Sequence, residues 1–399
     1  MKKILIVSQA MELGGVERAL LGLLETIDTT KYEVSLFLMR HTGELLKYIP
    51  ENIELMPKIP EYSLLAVPIT EVLKSRKPEI LFGRTLGKLK AKAYCKKNRF
   101  TGFNAVEDLY SHKYTVPFMP FLNENEYDMV ISFLTPHYIV NKKVKAKKKI
   151  AWIHTDYASI EIDVKSELEM WNNFDCIVSI SNQVSESFLK MFPLLKERII
   201  VIQNIMPIRY MRCLMNEFDA SEEMRSDGTV KLLSVGRFCT AKNFDNVPEI
   251  CKRLRDKGLD IRWYLIGYGV DEPLIRKKIA EYKMDKYIIV LGKKENPYPY
   301  FKQCDIYVQP SRYEGKCMSV IEAQMLHKPV VISNYATARN QLIDGYDGII
   351  VPLPVEDFAN GIEKVIRNKE LQSKLVNNTM NTDYSNYNEI KKIYSIIEN

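Results

Sequence analysis

The 399-residue chain contains no C-x-x-C and no H-x-x-x-H, and it has only five histidines. A thiol redox pair and the usual structural zinc frames are thereby excluded as its organising chemistry. Its seven cysteines (Cys95, Cys176, Cys213, Cys239, Cys251, Cys304, Cys317) are scattered, odd in number and mostly in apolar surroundings. That usage suits reduced thiols rather than a disulfide scaffold. No apolar run approaches the roughly 20 residues that cross a bilayer. The start, MKKILIVSQAMELGG, has an apolar run of only about five residues that leads into two glycines, the look of a first buried strand rather than of a signal peptide. A G-x-G-x-x-G after that strand is also missing, which argues against a nicotinamide-dependent oxidoreductase. The expectation is a cytoplasmic protein without a metal or cofactor.

What is present is a soluble globular composition, 46% hydrophobic and 27% charged, on a chain long enough for two ordinary domains. The net charge of +7 is unevenly placed. Lys74 to Lys149 holds 17 Lys and Arg against 6 Asp and Glu, so the remainder of the chain carries a net charge of −4. A basic region usually meets something anionic. Tyr110, Tyr114, Phe118 and Phe121 follow its lysines, an arrangement suited to an anionic membrane surface or to an ordinary solvated helix face. No recognisable nucleic-acid module accompanies it.

Short apolar runs recur along the chain. KILIVS, a Gly14-Gly15 loop, a helical period from Val16 to Leu24 and YEVSLFLM read as strand, loop, helix and strand, a βαβ unit that implies a parallel sheet. Residues 50–127 are less regular. YDMVISF, KKIAWIHT, CIVSIS and RIIVIQN continue the strands, and His154 closes the second of these, at the strand end where open α/β sheets bind ligands. The pattern loosens over residues 205–228, and a second series then begins with KLLSVGRF, IRWYLIGYG, YIIVLG, DIYVQPS and HKPVVISN. The fold expected is α/β, two Rossmann-like doubly wound domains facing a cleft. Residues 1–206 form the first domain, 207–383 the second, and a C-terminal helix at 384–399 packs back on the first.

Three groups in the second half stand at strand ends. Arg237 and Lys242 suit a diphosphate, since Arg forks two oxygens and Lys adds a point charge. Gly267 and Gly269 permit close backbone approach. SRYEGKCMSVIE (311–322) turns at Gly315 into a helix start, which favours anions, with Glu314 and Glu322 separated by seven residues. Plainer readings exist for each. Ser319 and Glu322 fit an S-x-x-E capping box, Arg237 could pair with Asp245, Glu314 could be a solvated loop carboxylate, and glycines at 14 and 15 could serve only a turn.

Taken together, VGRF with Lys242, LIGYG, QPSRYEGKCMSVIEA, HKPVVISN and DGYDGIIVP resemble the retaining GT-B glycosyltransferases of group 1, family 4 (GT4), densely over residues 230–354. ELGGVERAL and WIHTD resemble it more thinly. The resemblance implies that Arg237 and Lys242 hold the donor diphosphate and Glu322 the ribose hydroxyls. It places Glu314 and His154 by the transferred sugar, and Gly14, Gly15, Gly267, Gly315, Lys316, Cys317, Met318 and Ser319 along the donor. Lys316 and Cys317 replace the family's Gly-Leu-Pro-like continuation, and Gln341 stands near a usual Glu position. The function implied is transfer of a hexose-type sugar from a nucleotide diphosphate, UDP-linked, to an acceptor hydroxyl with retention. The expected acceptor is a lipid-linked oligosaccharide in bacterial capsular, exopolysaccharide or other surface glycan synthesis, met at the inner face of the plasma membrane by the Lys74–Lys149 region. UDP is then a product, and nucleic acid is not a partner. The rival readings are a non-catalytic carbohydrate- or nucleic-acid-binding protein and the oxidoreductase already disfavoured.

Overall fold

The computed structural model describes residues 1–12, 14–100, 105–124, 126–134, 136–155, 157, 160–225, 227–314 and 317–398. The chain divides into two compact units, Met1–Pro207 with Asn386–Asn399, and Ile208–Ser385. The first is built on strands β1 (Lys2–Ser8), β2 (Tyr32–Leu38), β3 (Glu54–Leu55), β4 (Tyr127–Ser132), β5 (Ala146–Ile153), β6 (Cys176–Ser179) and β7 (Ile199–Val201). The second uses β8 (Val230–Val235), β9 (Ile261–Ile266), β10 (Ile288–Gly292), β11 (Ile306–Gln309), β12 (Val330–Ser333) and β13 (Ile349–Val351).

The two sheets are ordered β3-β2-β1-β4-β5-β6-β7 and β10-β9-β8-β11-β12-β13, and every named pairing is parallel. Parallel strands need crossovers that cover both faces, so central strands are apolar throughout. Ile4, Leu5, Ile6 and Val7 on β1 are buried accordingly, as are Ile306, Tyr307 and Val308 on β11. In each sheet the chain runs outward from one strand and then returns to that strand's other side. The order reverses between β1 and β4 in the first unit and between β8 and β11 in the second. The carboxyl ends of those strand pairs are where such sheets bind ligands.

Two regions that read as irregular are helical. Residues 50–127 include the 21-residue helix Pro78–Asn98 and the helix Val106–Thr115, and the connection after residue 205 contains the helix Ile208–Met215. Pro78–Asn98 hides its period because it is apolar on two opposite sides. Ile80, Gly83, Gly87 and Ala91 are buried, while Phe82 and Leu89 are exposed about half a turn away. Gly83 and Gly87 let it approach Val106–Thr115 so closely that a Cβ on either would meet backbone of that helix at 2.7 Å.

The C-terminal helix Ile390–Glu398 belongs to the first unit. It buries Ile390, Ile393 and Ile397, stacks Tyr394 on Tyr32 at 5.0 Å, and receives Lys148 Nζ at the Ile396 carbonyl (2.7 Å). No described helix is long and apolar enough to cross a membrane.

Helix Gly15–Thr26 passes the segment at 205–206 at very close range, and a Cβ on Gly22 would lie 2.0 Å from the Ile205 carbonyl oxygen. Gly22→Ala should therefore lower stability by about 1–3 kcal/mol through overpacking. Helix propensity alone would raise it by about 1 kcal/mol. The sign of the shift in urea midpoint decides between the two.

Candidate functional site

The site in the second unit is assembled at the reversal between β8 and β11. Gly236 and Arg237 leave β8, Lys242 closes a 3₁₀ turn (Thr240–Lys242), and Ser311 to Glu314 leave β11. The two loops are tied together. Arg312 N–H donates to the Ala241 carbonyl (2.8 Å), and the Arg312 guanidinium forks onto Asp245 at 2.8 and 2.9 Å. Asp245 also meets Lys278 at 3.3 Å. Asp245 is thus occupied by Arg312 and Lys278, which replaces the suggested pairing with Arg237. Arg237 is exposed and makes no hydrogen bond or ion pair with a described residue.

Lys242 is held differently. Its Nζ lies 2.6 Å from Glu314 Oε1 and 3.7 Å from Cys317 Sγ, with the Lys242 and Glu314 side chains only 17% and 11% exposed. Burial works against the ammonium, but Cys317 and Glu314 outweigh it, so Lys242 is held above its ordinary pKa. Burial pushes the Cys317 thiol up in turn, with the Lys242 charge partly opposing. Glu314 is therefore no solvated loop carboxylate. Ser311 Oγ donates to its Oε1 at 2.6 Å, and Thr337 Oγ1 donates to its backbone carbonyl at 2.8 Å.

Helix Met318–Met325 starts immediately after this loop, with Cys317 as its N-cap and no side-chain cap. The plainer reading of Ser319 and Glu322 as a capping box is not realised. Ser319 Oγ instead donates to the Val235 carbonyl (3.2 Å) and accepts from Tyr307 OH (2.7 Å), binding the helix start to the end of β8. Glu322 is buried and accepts a bond from Tyr298 OH at 3.0 Å. The backbone N–H groups of Met318 and Ser319 begin the helix and lack intrahelical partners, leaving donors for an anion, while the Val320 N–H faces the Cys317 sulfur. Gly315 and Lys316 lie outside the described residues.

Gly267 and Gly269 follow β9. A Cβ on Gly267 would sit 1.9 Å from the Gly236 carbonyl oxygen, and one on Gly269 would sit 2.2 Å from that of Phe238. Only glycine lets the two strand-end loops touch there. Three contributors escaped the motif reading: Ser311, Thr337 and Gln341. Gln341 Oε1 accepts the Cys317 N–H at 2.8 Å, so the residue at the usual Glu position anchors the helix N-cap, and its Nε2 is buried without a partner. The only sequence signal for it was that departure from Glu.

In the first unit, His154 follows β5 at the carboxyl edge of the sheet. Its Nε2 lies 3.0 Å from the Phe133 carbonyl, which can only accept, so Nε2 carries the proton. Nδ1 has no partner. Burial lowers the ring's pKa to about 4, with the Phe133 carbonyl partly opposing, so His154 is neutral near pH 7 and presents a lone pair. Gly14 caps helix Gly15–Thr26 with extended backbone (φ −143°), and a Cβ on Gly15 would meet nothing within 4 Å. Neither glycine is required by a left-handed turn. On the surface of the same unit, Leu73, Phe82, Leu89, Phe118 and Phe121 are exposed among the lysines of the basic region.

Residues 216–382 match the family model described as glycosyl transferases group 1. An uncharacterized glycosyltransferase of Methanocaldococcus jannaschii is 27% identical over 285 residues, 64% of this chain and 71% of that protein. The UDP-Gal:alpha-D-GlcNAc-diphosphoundecaprenol alpha-1,3-galactosyltransferase of Escherichia coli is 23% identical over 226 residues, 55% of this chain and 58% of that protein. Several further relatives are matched over about half of their own length or less. The fold is similar to that of S. aureus TarM in complex with fondaparinux, alpha-GlcNAc-glycerol and UDP, with a TM-score of 0.60 at 14% identity and all of both chains covered. The second unit is thus similar to the group 1 glycosyl transferases over most of its length, in a chain whose two parallel sheets have the GT-B glycosyltransferase fold.

Proposed function

We propose that the chain is a retaining hexosyltransferase that uses a UDP-sugar and delivers the sugar to a hydroxyl of a lipid-linked glycan. The observation that carries this reading is the pairing at the β8–β11 reversal. An unpaired Arg237 and a buried Lys242–Glu314 pair stand beside the N-terminus of helix Met318–Met325. A departing diphosphate needs positive charge fixed in place before the bond breaks. Arg237, Lys242 and the helix N–H groups provide it, and Glu314 keeps Lys242 charged and in position until the donor arrives. In this reading Glu322, oriented by Tyr298, takes the ribose hydroxyls. Glu314 and His154 meet the sugar, where a neutral imidazole offers its Nδ1 lone pair to a hydroxyl or to positive charge developing at the anomeric carbon. Retention then proceeds by departure and attack on one face. The TarM complex with UDP and the E. coli relative that uses UDP-Gal and a diphosphoundecaprenol acceptor support the donor and acceptor classes.

The acceptor class accounts for the basic surface. Phe82 and Leu89 point outward from helix Pro78–Asn98 between Lys90, Lys92, Lys96 and Lys97, and Lys143 Nζ lies 5.0 Å from the exposed Phe121 ring. Exposed rings among ammonium groups suit the interface of an anionic leaflet.

Three outcomes follow. UDP and one UDP-sugar should raise the melting temperature, whereas NAD and oligonucleotides should not. Arg237→Ala should remove that shift and lower turnover by about 10²-fold or more, as loss of one fixed charge-stabilising donor does elsewhere, with released nucleotide from a panel of nucleotide sugars as the readout. Unchanged turnover would sink the assignment.

The histidine makes a statement about pH. The folded pKa of His154, about 4, lies below its ordinary 6.5, so the unfolded chain binds more protons between those values. Its contribution to stability is complete above pH 6.5 and is lost as pH falls toward 4. The urea midpoint should drop between pH 7 and pH 4.5, and His154→Gln should flatten part of that drop. An identical slope in the variant would contradict a buried neutral ring.

For the surface, the protein should sediment with vesicles containing anionic lipid at low salt and less with neutral ones. Phe82→Ser with Leu89→Ser should weaken that binding without changing hydrolysis of the donor in solution. Equal partitioning onto both kinds of vesicle counts against the membrane role.

A further inference from the structure

A second set of donors lies away from the loops just described. Arg262 and Tyr264 occupy alternate positions of β9, and Ile289 of β10 is the register partner of Tyr264, so the three share one face of the second sheet. The opposite face carries Leu232, Trp263 and Ile288 into the core. Over the first face, segment 222–225 stands off the strands and leaves a cavity of about 450 Å³ lined by Glu222, Glu223, Arg225, Arg262, Tyr264, Lys286 and Ile289. All of these residues precede their strands or lie in the strands' first two thirds. The donor loops leave the other end, after Val235, Ile266 and Gln309. This is not the donor site.

The lining is unevenly satisfied. Glu223 is occupied by Lys294 (2.7 Å) and Tyr300 OH (2.9 Å), and Arg262 is paired with Asp227. Arg225 and Lys286 make no hydrogen bond or ion pair with a described residue. Tyr264 is only 1% exposed; the Arg262 guanidinium lies against its hydroxyl oxygen, while its O–H finds no acceptor among the described residues. A buried O–H without an acceptor is unusual enough to require an explanation. Arg225, Arg262, Lys286 and Lys294 together outnumber Glu222, Glu223 and Asp227 by one charge. The free groups are thus two cations and a phenol, all able to donate, above an apolar floor formed by Ile289 and the Tyr264 ring.

We propose that this cavity is a second binding site, for a small phosphate-bearing molecule, at the end of the sheet opposite the donor loops. Arg225 and Lys286 supply the charge, the Tyr264 hydroxyl donates from the floor, and the size is that of a small-molecule pocket. A phosphate has enough acceptor oxygens to meet all three donors at once. A neutral ligand would leave Arg225 and Lys286 uncompensated. The inference does not rest on the glycosyl-transfer reading.

The probe is inorganic phosphate, titrated against chloride of equal ionic strength with the full chain saturated with UDP, and read by thermal shift. A saturable rise is expected, about 5 °C near a hundredfold the dissociation constant. It should persist in Arg237→Ala without UDP and be lost in Lys286→Ala and in Tyr264→Phe, which keeps the ring in place. No saturable rise overturns the proposal, as does one that survives both cavity variants. A rise that disappears in Arg237→Ala assigns the phosphate to the donor loops and overturns it as well. Failure of glycosyl transfer with every donor tested leaves these readouts intact.

Discussion

The Lys242–Glu314 pair is the contact on which the site of the second unit depends. Both groups are mostly withdrawn from water, so each would be costly alone, and removal of one partner from a buried pair typically costs about 3–5 kcal/mol. The pair therefore acts as a constraint as much as an attraction. It fixes the loop after β8 against the loop after β11, and the Arg312–Asp245 fork repeats the tie a few residues away. With both ties in place, the start of helix Met318–Met325 and the Arg237 side chain are held on loops of fixed separation. In the proposed function, that is the preorganisation a leaving diphosphate requires.

The sheet order explains why these loops meet at all. A chain that winds outward from β8 and returns to its other side must leave the carboxyl ends of β8 and β11 next to each other with no crossover helix between them. The same reversal occurs in the first unit between β1 and β4. Beside it, the parallel pairing of β4 with β5 brings Phe133, at the end of β4, within reach of His154, at the end of β5. The Phe133 carbonyl decides which ring nitrogen keeps the proton and which stays open. At the opposite end of the second sheet the polar groups come both from the strands' own outward residues, Arg262 and Tyr264, and from the segments that precede them, Arg225 and Lys286 among them.

How much of this was legible in the sequence follows from how each feature is encoded. Strands buried on both faces are written as continuous apolar runs, so KILIVS and IRWYLI could be placed with little error. Arg237, Lys242 and Glu314 stood at strand ends within a spaced motif, and the structure brings Lys242 and Glu314 into contact. Helix Pro78–Asn98 was illegible because its outer face carries Phe82 and Leu89 as well as lysine, which erases the single apolar stripe that a helical period needs. Gln341 was visible only as a departure from an expected Glu, since its bond to the Cys317 N–H depends on a loop closing across 24 positions of sequence. The capping reading of Glu322 failed for a related reason. The helix begins one residue before Ser319, and Ser319 is drawn to Val235 and Tyr307 by the sheet beneath it.

Gln341 also changes what the site can discriminate. A glutamate there would accept the Cys317 N–H with one oxygen and present a second acceptor, and a negative charge, to the surroundings. Glutamine keeps the first bond and presents an N–H donor instead. The local field beside Lys242 and the helix start is then more positive by one charge than a glutamate would allow. In the proposed reading, where this region holds a diphosphate, that favours the anion at the expense of a hydroxyl seeking an acceptor. The loss of one acceptor must be met elsewhere, and Glu314, fixed by Ser311 and Thr337, is the carboxylate that remains on that loop.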